Sequence, residues 1–163
     1  MSTGRTLSAA LLFCTSMGID VTEIRVRPAE TSDQDVLAEI YLAARRQTFP
    51  WMAIEKFRHE DYFKATAGEK VLLAELSGAL VGFVSVVTEK SFVHNLFIDP
   101  AYQAKGLGKA LLGAGIENLP RPVRLKCTER NVQACKFYER LGWRAIETVA
   151  GHPDGAYVLY QLD

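Results

Sequence analysis

Residues 103–109 combine glycines and lysines in a pattern suited to binding phosphate. The stretch reads Gln-Ala-Lys-Gly-Leu-Gly-Lys, between an apolar run that ends at Asp99-Pro100 and a segment with helical spacing. A helix start leaves backbone N–H groups unpaired and carries the positive end of the helix dipole. Glycines let such a backbone approach a phosphate closely. The stretch therefore indicates either a phosphate site or an ordinary strand-to-helix turn that contains glycines.

The glycine spacing excludes two common phosphate-binding motifs. The Walker loop requires Gly-x-x-x-x-Gly-Lys-Ser/Thr, which is absent. The dinucleotide fingerprint requires a third glycine, and only Gly106 and Gly108 are present here. Spacing alone leaves the phosphate ligand unidentified.

Cysteine usage argues against metal and disulfide chemistry. The three cysteines, Cys14, Cys127 and Cys135, form no Cys-x-x-Cys pair. We therefore expect no metal site and no disulfide framework, and a reducing compartment fits this pattern. Cys127 and Cys135 are interpreted as buried thiols that act as small hydrophobic groups.

Length and charge restrict the class of protein. The chain has 163 residues with 48% hydrophobic residues, which suits a single domain with one core. Lys plus Arg and Asp plus Glu number 19 each, so the formal net charge is zero and nucleic-acid binding is not expected. The apolar run at residues 7–14 is too short to span a membrane. We expect residues 1–20 to be a flexible extension, residues 21–163 to be the domain, and the protein to be cytoplasmic.

Hydrophobic periodicity predicts strands and helices in alternating groups. Thr31 or Ser32 is the predicted N-cap of the first helix, Ser77-Gly78 a hairpin turn, and Gly142 a C-terminal helix cap. Strands are predicted at residues 23–29, 70–75, 79–88, 91–98, 121–128, 143–150 and 156–162. Helices are predicted at residues 31–49, in the second half of 50–68 with Phe57, Tyr62 and Phe63, at about 105–119, and at 131–143.

The connections between these elements predict a mixed sheet. Strands 2 to 4 are joined by tight turns and must be antiparallel. Strand 5 follows strand 4 through a helix, so these two strands should be parallel. The expected fold class is α+β, a mixed sheet with helices packed on it.

Two segments resemble the signature of the GNAT superfamily of N-acetyltransferases. The family motif Gln/Arg-x-x-Gly-x-Gly/Ala reads Gln103-Ala104-Lys105-Gly106-Leu107-Gly108 in this chain. Residues 131–143 are similar to the family's Asn-x-x-Ala-x-x-Phe-Tyr-x-x-x-Gly-Phe helix, with Trp143 in the last position. The resemblance covers roughly residues 23–162.

The resemblance implies a GNAT fold and acetyl-CoA as co-substrate. Strands 4 and 5 of a mostly antiparallel sheet would splay around the cofactor, with helices on both faces. The strand residues Leu96, Phe97 and Ile98 would pair with the pantetheine arm, and Asn131 would contact it or cap its own helix. The amides expected to hold the pyrophosphate belong to Gln103, Ala104, Lys105, Gly106, Leu107, Gly108 and Lys109.

Acetyl transfer to an amine requires a proton acceptor, an oxyanion donor and a proton donor for the thiolate. Tyr138 matches the family's helix tyrosine, which implies a general acid that also contacts the cofactor; the alternative is a core tyrosine. His94 is the candidate base because a neutral imidazole accepts a proton. It should share a face with Leu96 unless a bulge intervenes. Alternatively, His94 is structural or contacts only the substrate, and the proton leaves through water. The N–H of Phe97 or Ile98 is the expected oxyanion donor.

The acceptor is the least determined partner. The resemblance implies that Phe49 and Trp51, in the segment between the first two helices, line the acceptor groove with His94. Alternatively, the aromatic residues of that segment belong to the core. The expected function is acetyl transfer from acetyl-CoA to a primary amine of a small molecule or protein through a direct ternary complex. The alternative is a catalytically silent module that binds acyl-CoA. The family also allows a homodimer.

Overall fold

The computed structural model describes residues 24–103 and 105–163, so residues 1–23, which include the expected extension 1–20, and Ala104 lie outside the described part. The described residues form seven strands and four α-helices in the predicted order. The strands are β1 (Ile24–Pro28), β2 (Lys70–Leu76), β3 (Ala79–Val87), β4 (Phe92–Ile98), β5 (Val123–Thr128), β6 (Arg144–Val149) and β7 (Tyr157–Leu162). The helices are α1 (Gln34–Thr48), α2 (Asp61–Thr66), α3 (Leu107–Ile116) and α4 (Val132–Arg140).

The strands form one mixed sheet in the order β1-β2-β3-β4-β5-β7-β6. Every neighbouring pair is antiparallel except β4 and β5, which are parallel. The predicted hairpin turn is confirmed: Ser77 and Gly78 have φ of 51° and 82°, as a two-residue turn with the twist of its strands requires. The predicted fold class and the crossover through a helix are therefore confirmed.

Helices cover both faces of the sheet. On one face, α1 and α2 bury Leu37, Tyr41 and Tyr62 against Leu73 and Phe83 of the sheet. On the other face, α3 contributes the buried leucines at positions 107, 111 and 112 to a second, larger cluster. No helix within the two described ranges is both long and apolar enough to cross a membrane.

Two helix starts differ from the prediction. The N-cap of α1 is Asp33, not Thr31 or Ser32. The Asp33 carboxylate accepts hydrogen bonds from Glu30 N (2.8 Å) and Arg27 Nη1 (2.7 Å), which fixes the turn before the helix. A turn of 3₁₀-helix, Thr31–Asp33, precedes that cap. The helix α3 starts at Leu107 instead of residue 105, since Gly106 has a φ of 77°, outside helical geometry.

The second helix also starts later than expected. It begins at Asp61, so Phe57 lies outside α2, although it is a core residue with 3% exposure. Asp61 accepts a hydrogen bond from Arg58 N (2.9 Å) and pairs with Arg45 of α1 (3.0 Å). These contacts fix the start of α2 against α1.

Candidate functional site

The sheet opens between β4 and β5. Only Phe92 and Val93 of β4 pair with β5, opposite Arg124 and Leu125. Beyond Val93, the β4 residues Asn95–Ile98 remain paired with β3. The predicted splay of these strands is confirmed, and it leaves one edge of β4 without a strand beside it.

The free edge of β4 presents backbone groups to this gap. Asp99 N donates to Val81 O of β3 at 2.8 Å. Because N–H directions alternate along an antiparallel strand, Phe97 N–H also points to β3, whereas the N–H groups of Leu96 and Ile98 point into the gap. Of the two oxyanion donors expected from the sequence, Ile98 therefore has the suitable direction and Phe97 does not.

The glycine-rich stretch at residues 103–109, here called the glycine corner, lies at the start of α3. Gly106 is its N-cap in the left-handed region, where glycine has no steric penalty. The N–H groups of the first helical turn, from Leu107 to Lys109, precede the first possible intrahelical bond and have no acceptor within the helix. The Lys109 side chain is exposed, and Lys105 Nζ lies 5.4 Å from the ring centroid of Tyr102. The corner thus presents donors and positive charge.

Gly108 brings α3 close to α4. A Cβ at this position would lie 3.3 Å from Cζ of Phe137, a contact tighter than side chains usually make. The small second glycine of the motif therefore lets α3 pack closely against the helix that carries Tyr138.

The ends of α4 are both capped. Asn131 Oδ1 accepts a hydrogen bond from Ala134 N (3.2 Å), so Asn131 is an N-cap. At the other end, Gly142 has a φ of 89°, Gly142 N donates to Glu139 O (3.1 Å) and Trp143 N donates to Tyr138 O (3.0 Å). This bond pattern is the Schellman motif, which confirms the predicted cap. A helix of nine residues is thereby held at both ends.

Tyr138 is a buried tyrosine with 9% exposure. Its ring packs against Phe137, Trp143 and Tyr160 at centroid distances of 5.2, 6.1 and 6.0 Å. Burial raises the pKa of Tyr138 well above its ordinary value, and nearby thiols add to the effect. The phenol therefore retains its proton at neutral pH, as a proton donor requires, within a packed aromatic environment.

The two thiols beside Tyr138 are free. Cys127 is buried and Cys135 is partly buried, with 3.6 Å between their Sγ atoms. Burial raises the pKa of Cys127, so its thiol remains protonated. The expectation that they act as small packing groups agrees with this environment.

His94 is the extra residue of a β-bulge. Ser85 of β3 pairs with Asn95 and Val86 pairs with Val93, so His94 has no partner on β3. The bulge turns the imidazole towards Glu69, which contacts its Nδ1. Leu96 packs in the larger cluster with α3, on the opposite face of the sheet from α2. The expectation that His94 and Leu96 share a face is therefore wrong, because a bulge intervenes.

Sequence reasoning missed Glu69 and Asn95. Asn95 is 6% exposed, and its Nδ2 donates to Ser85 Oγ (2.8 Å) and to Ala65 O (3.2 Å), which ties the bulge to β3 and α2. Glu69 follows Gly68 and precedes an apolar strand, which is an ordinary position for a surface acid. No local signal could have linked it to His94, 25 positions away.

The aromatic segment before α2 is partly core and partly exposed. Phe49 is half-buried, and its ring contacts Trp51 and Phe57 at 5.6 and 6.3 Å. Trp51 is 37% exposed, and the guanidinium of Arg130 lies over its ring, with Cζ 5.5 Å from the centroid. The segment therefore contacts the β5–α4 connection next to Asn131.

The arrangement fits an extended ligand that consists of a long arm followed by a pyrophosphate. The free edge of β4 can pair with an amide-bearing arm, and the amides and lysine of the corner can hold phosphate groups. Acetyl-CoA carries both features. The residues present are thus compatible with the pantetheine arm and the pyrophosphate of this group.

Comparisons with known proteins identify the family. Residues 35–143 match the model of the Acetyltransferase (GNAT) family. The chain is 31% identical over 117 residues to [ribosomal protein bS18]-alanine N-acetyltransferase of Escherichia coli (strain K12), covering 67% of this chain and 74% of that protein. It is 29% identical over 142 residues to an uncharacterised N-acetyltransferase of Methanocaldococcus jannaschii, a match that covers 77% of this chain but only 63% of that protein.

A solved structure shares the fold. The acetyltransferase YncA of Salmonella typhimurium, determined with its cofactor acetyl-CoA, superposes with a TM-score of 0.66 at 22% identity. The match covers 85% of this chain and 92% of YncA. The family model, which matches more than half of the chain, and the 31% identity together show that the chain belongs to the Acetyltransferase (GNAT) family.

Proposed function

We propose that the protein transfers the acetyl group of acetyl-CoA to a primary amine of a small molecule, peptide or protein, in a direct ternary complex. The observation that carries this proposal is the gap between β4 and β5, which opens directly after the pair Val93–Leu125. Its free backbone edge and the glycine corner supply the two parts of a binding site for the co-substrate. Acetyl-CoA supplies the acetyl group as a thioester.

In this proposal, the co-substrate is held mainly by backbone groups. The N–H groups of Leu96 and Ile98 face the gap and bind the pantetheine arm. The pyrophosphate is held by the corner residues Gln103, Lys105, Gly106, Leu107, Gly108 and Lys109, with Ala104 between them. Asn131 caps α4 and contacts the arm as well.

His94 takes the proton of the attacking amine. Its side chain is 46% exposed, and Nδ1 is engaged by Glu69, so Nε2 is the nitrogen left for the substrate. His94 directly follows the last β4 residue that pairs with β5, which supports a position at the closed end of the gap. Proton transfer through a water molecule to solvent is the alternative route.

Tyr138 gives a proton to the leaving thiolate. A tyrosine hydroxyl carries its proton across the neutral range, and Tyr138 lies on the motif helix at the position of the family's tyrosine, which supports the role of donor. Phe49 and Trp51 line the acceptor side. The relatives that act on protein amines, such as the ribosomal protein alanine acetyltransferase of Escherichia coli, favour a peptide amine as the first acceptor to test.

The test is a turnover screen with acetyl-CoA over small amines, amino acids and peptides, including peptides that begin with alanine or contain lysine. We expect turnover with at least one acceptor class and an increase in Tm on addition of CoA. An increase in Tm without turnover on any acceptor would indicate the catalytically silent acyl-CoA-binding module instead. If ATP raised Tm and CoA did not, the site assignment itself would be wrong.

The role of Tyr138 is tested by Tyr138→Phe, for which we expect kcat to fall about 100-fold with an unchanged KM for acetyl-CoA. Tyr160→Phe is the matched control. Tyr160 is a neighbouring buried tyrosine whose hydroxyl donates to Glu139 Oε1 (2.9 Å). Equal kcat values for the two variants would refute Tyr138 as the acid.

A further inference from the structure

Glu69 carries a largely buried carboxylate with one hydrogen-bond partner among the described residues. Its side chain is only 10% exposed, and Oε1 contacts Nδ1 of His94. Its other oxygen, Oε2, is buried and has no hydrogen-bond partner among the described residues. A carboxylate buried without full hydrogen bonding costs free energy that a merely structural residue could avoid. The contact to His94 is the one interaction here that compensates for this cost.

The backbone on both sides of this contact is fixed. Glu69 N donates to Thr66 O at 3.0 Å, so the turn between α2 and β2 holds the carboxylate in place. Opposite, the side chain of Asn95 bonds to Ser85 Oγ and to Ala65 O and anchors the bulge that carries His94. The approach of carboxylate and imidazole is therefore determined by buried hydrogen bonds on each side.

The contact has two consequences for the imidazole. A carboxylate can only accept a hydrogen bond, so the Nδ1 of a neutral His94 must carry the hydrogen and Nε2 must present its lone pair. When Nε2 takes a proton, the ring becomes positive directly beside the Glu69 carboxylate. The attraction between the two is therefore greatest after the proton has been accepted, which favours the transition state over the ground state.

We propose that Glu69 is a positioning residue that holds His94 in the Nδ1–H tautomer and stabilises the imidazolium formed during acetyl transfer. This inference rests on the proposed function of His94 as the base. Glu69 itself acts only through His94 and does not contact the reacting atoms.

The first test separates stability from turnover. Replacing a buried, incompletely paired charge by an apolar residue is often neutral or stabilising. We therefore expect Glu69→Leu to keep or raise Tm while kcat falls about tenfold or more and the KM for acetyl-CoA stays unchanged. Glu69→Gln, which keeps the shape, serves as the second variant and should lower kcat in the same direction. Unchanged kcat in both variants, together with a large loss in His94→Gln, would overturn the proposal.

A matched control comes from Glu75, a partly buried acid on β2. Glu75 pairs with Arg27 (2.8 Å) and its side chain is 19% exposed. Glu75→Gln should lower Tm without changing kcat. If Glu69→Leu behaves in the same way as Glu75→Gln, Glu69 has a structural role and the proposal fails.

The second test is a double-mutant cycle. If Glu69 acts through His94, Glu69→Leu should cause no further loss of kcat in a His94→Gln background. Losses that multiply would show that Glu69 acts independently and would overturn the proposal. If His94→Gln alone kept full turnover, the proposed base would be wrong, and the role of Glu69 in catalysis would be rejected with it.

The third test does not depend on turnover. The ¹⁵N chemical shifts of the His94 ring report which nitrogen carries the hydrogen. We expect the Nδ1–H tautomer to predominate in the wild-type protein at a pH at which the ring is neutral, and to lose this preference in Glu69→Leu. A wild-type ring in the Nε2–H form would overturn the positioning role even if His94 proved to be the base.

Discussion

The guanidinium of Arg130 lies over the indole ring of Trp51, with Cζ 5.5 Å from the ring centroid. Arg130 precedes Asn131, the N-cap of α4, whereas Trp51 belongs to the segment between α1 and α2. The contact therefore joins two connections that are far apart in sequence. It brings the aromatic segment next to the helix that carries Tyr138.

If Trp51 lines the acceptor groove, Trp51→Ala should raise the KM for the acceptor and leave the KM for acetyl-CoA unchanged. If the ammonium of the acceptor packs on the Trp51 ring, the loss of an exposed cation–π contact of about 0.5–1 kcal/mol predicts an increase in this KM of about two- to fivefold. Ile54→Ala is the control, since Ile54 lies on the same segment and is 55% exposed. Steady-state kinetics with both substrates varied measures the difference. A selective increase in the KM for acetyl-CoA would contradict this assignment.

The role of the glycine corner can be tested at Gly106, which has a positive φ and no described atom within 4 Å of an added Cβ. Gly106→Ala introduces no clash, so its effect is conformational, about 1–2 kcal/mol. Gly78→Ala in the β2–β3 hairpin is the matched control, with a φ of 82° and equally open space. Both variants should lose similar stability, but only Gly106→Ala should weaken CoA binding in a calorimetric titration. Equal CoA affinity in the two variants would show that the corner does not hold the pyrophosphate.

The two roles of Asn131 can be separated by two substitutions. Asn131→Ala removes the cap and should lower the free energy of unfolding by about 1 kcal/mol, whereas Asn131→Ser retains a capping oxygen and should restore most of it. If Asn131 also contacts the co-substrate, serine should not restore the affinity for CoA. Chemical denaturation and CoA titration measure the two effects. If Asn131→Ser recovered both the free energy of unfolding and the affinity for CoA, Asn131 would act only as a helix cap.

The ion pair at the start of α1 predicts a pH-dependent loss of stability. Hydrogen bonds from Arg27 hold the pKa of Asp33 below its ordinary value, although burial opposes this shift. A lowered pKa contributes stability that is fully present above the unfolded-state value of about 3.9. This contribution is lost as the pH falls through the lower, folded-state pKa.

The stability difference between wild type and Asp33→Asn should therefore be about 1–3 kcal/mol at neutral pH and should shrink in acid below about pH 4. Denaturant titrations at a series of pH values measure it. Asp35→Asn, on the first turn of the same helix, is the control. A difference that grew on acidification would contradict the sign of the Asp33 effect.

Local sequence signals determined much of this protein. The glycine corner, the Gly142 cap of α4 and the hairpin at Ser77-Gly78 were predictable because each depends on the φ of one or two residues. The antiparallel pairing of β2, β3 and β4 and the parallel pair of β4 and β5 followed from the connections between these strands. The motifs around Gly106 and Asn131 resemble the family by sequence alone, and the family comparison confirmed the resemblance.

Tertiary structure alone decided which side chains meet. The face of His94 depends on a one-residue bulge in the pairing of β4 with β3, and strand periodicity assumes that no bulge occurs. The contacts of Glu69 with His94 and of Arg130 with Trp51 join residues that lie on different connections of the fold. Such contacts arise from packing two layers of helices on a twisted sheet. They leave no periodic trace in the chain, and so the partner of the candidate base could be found only in three dimensions.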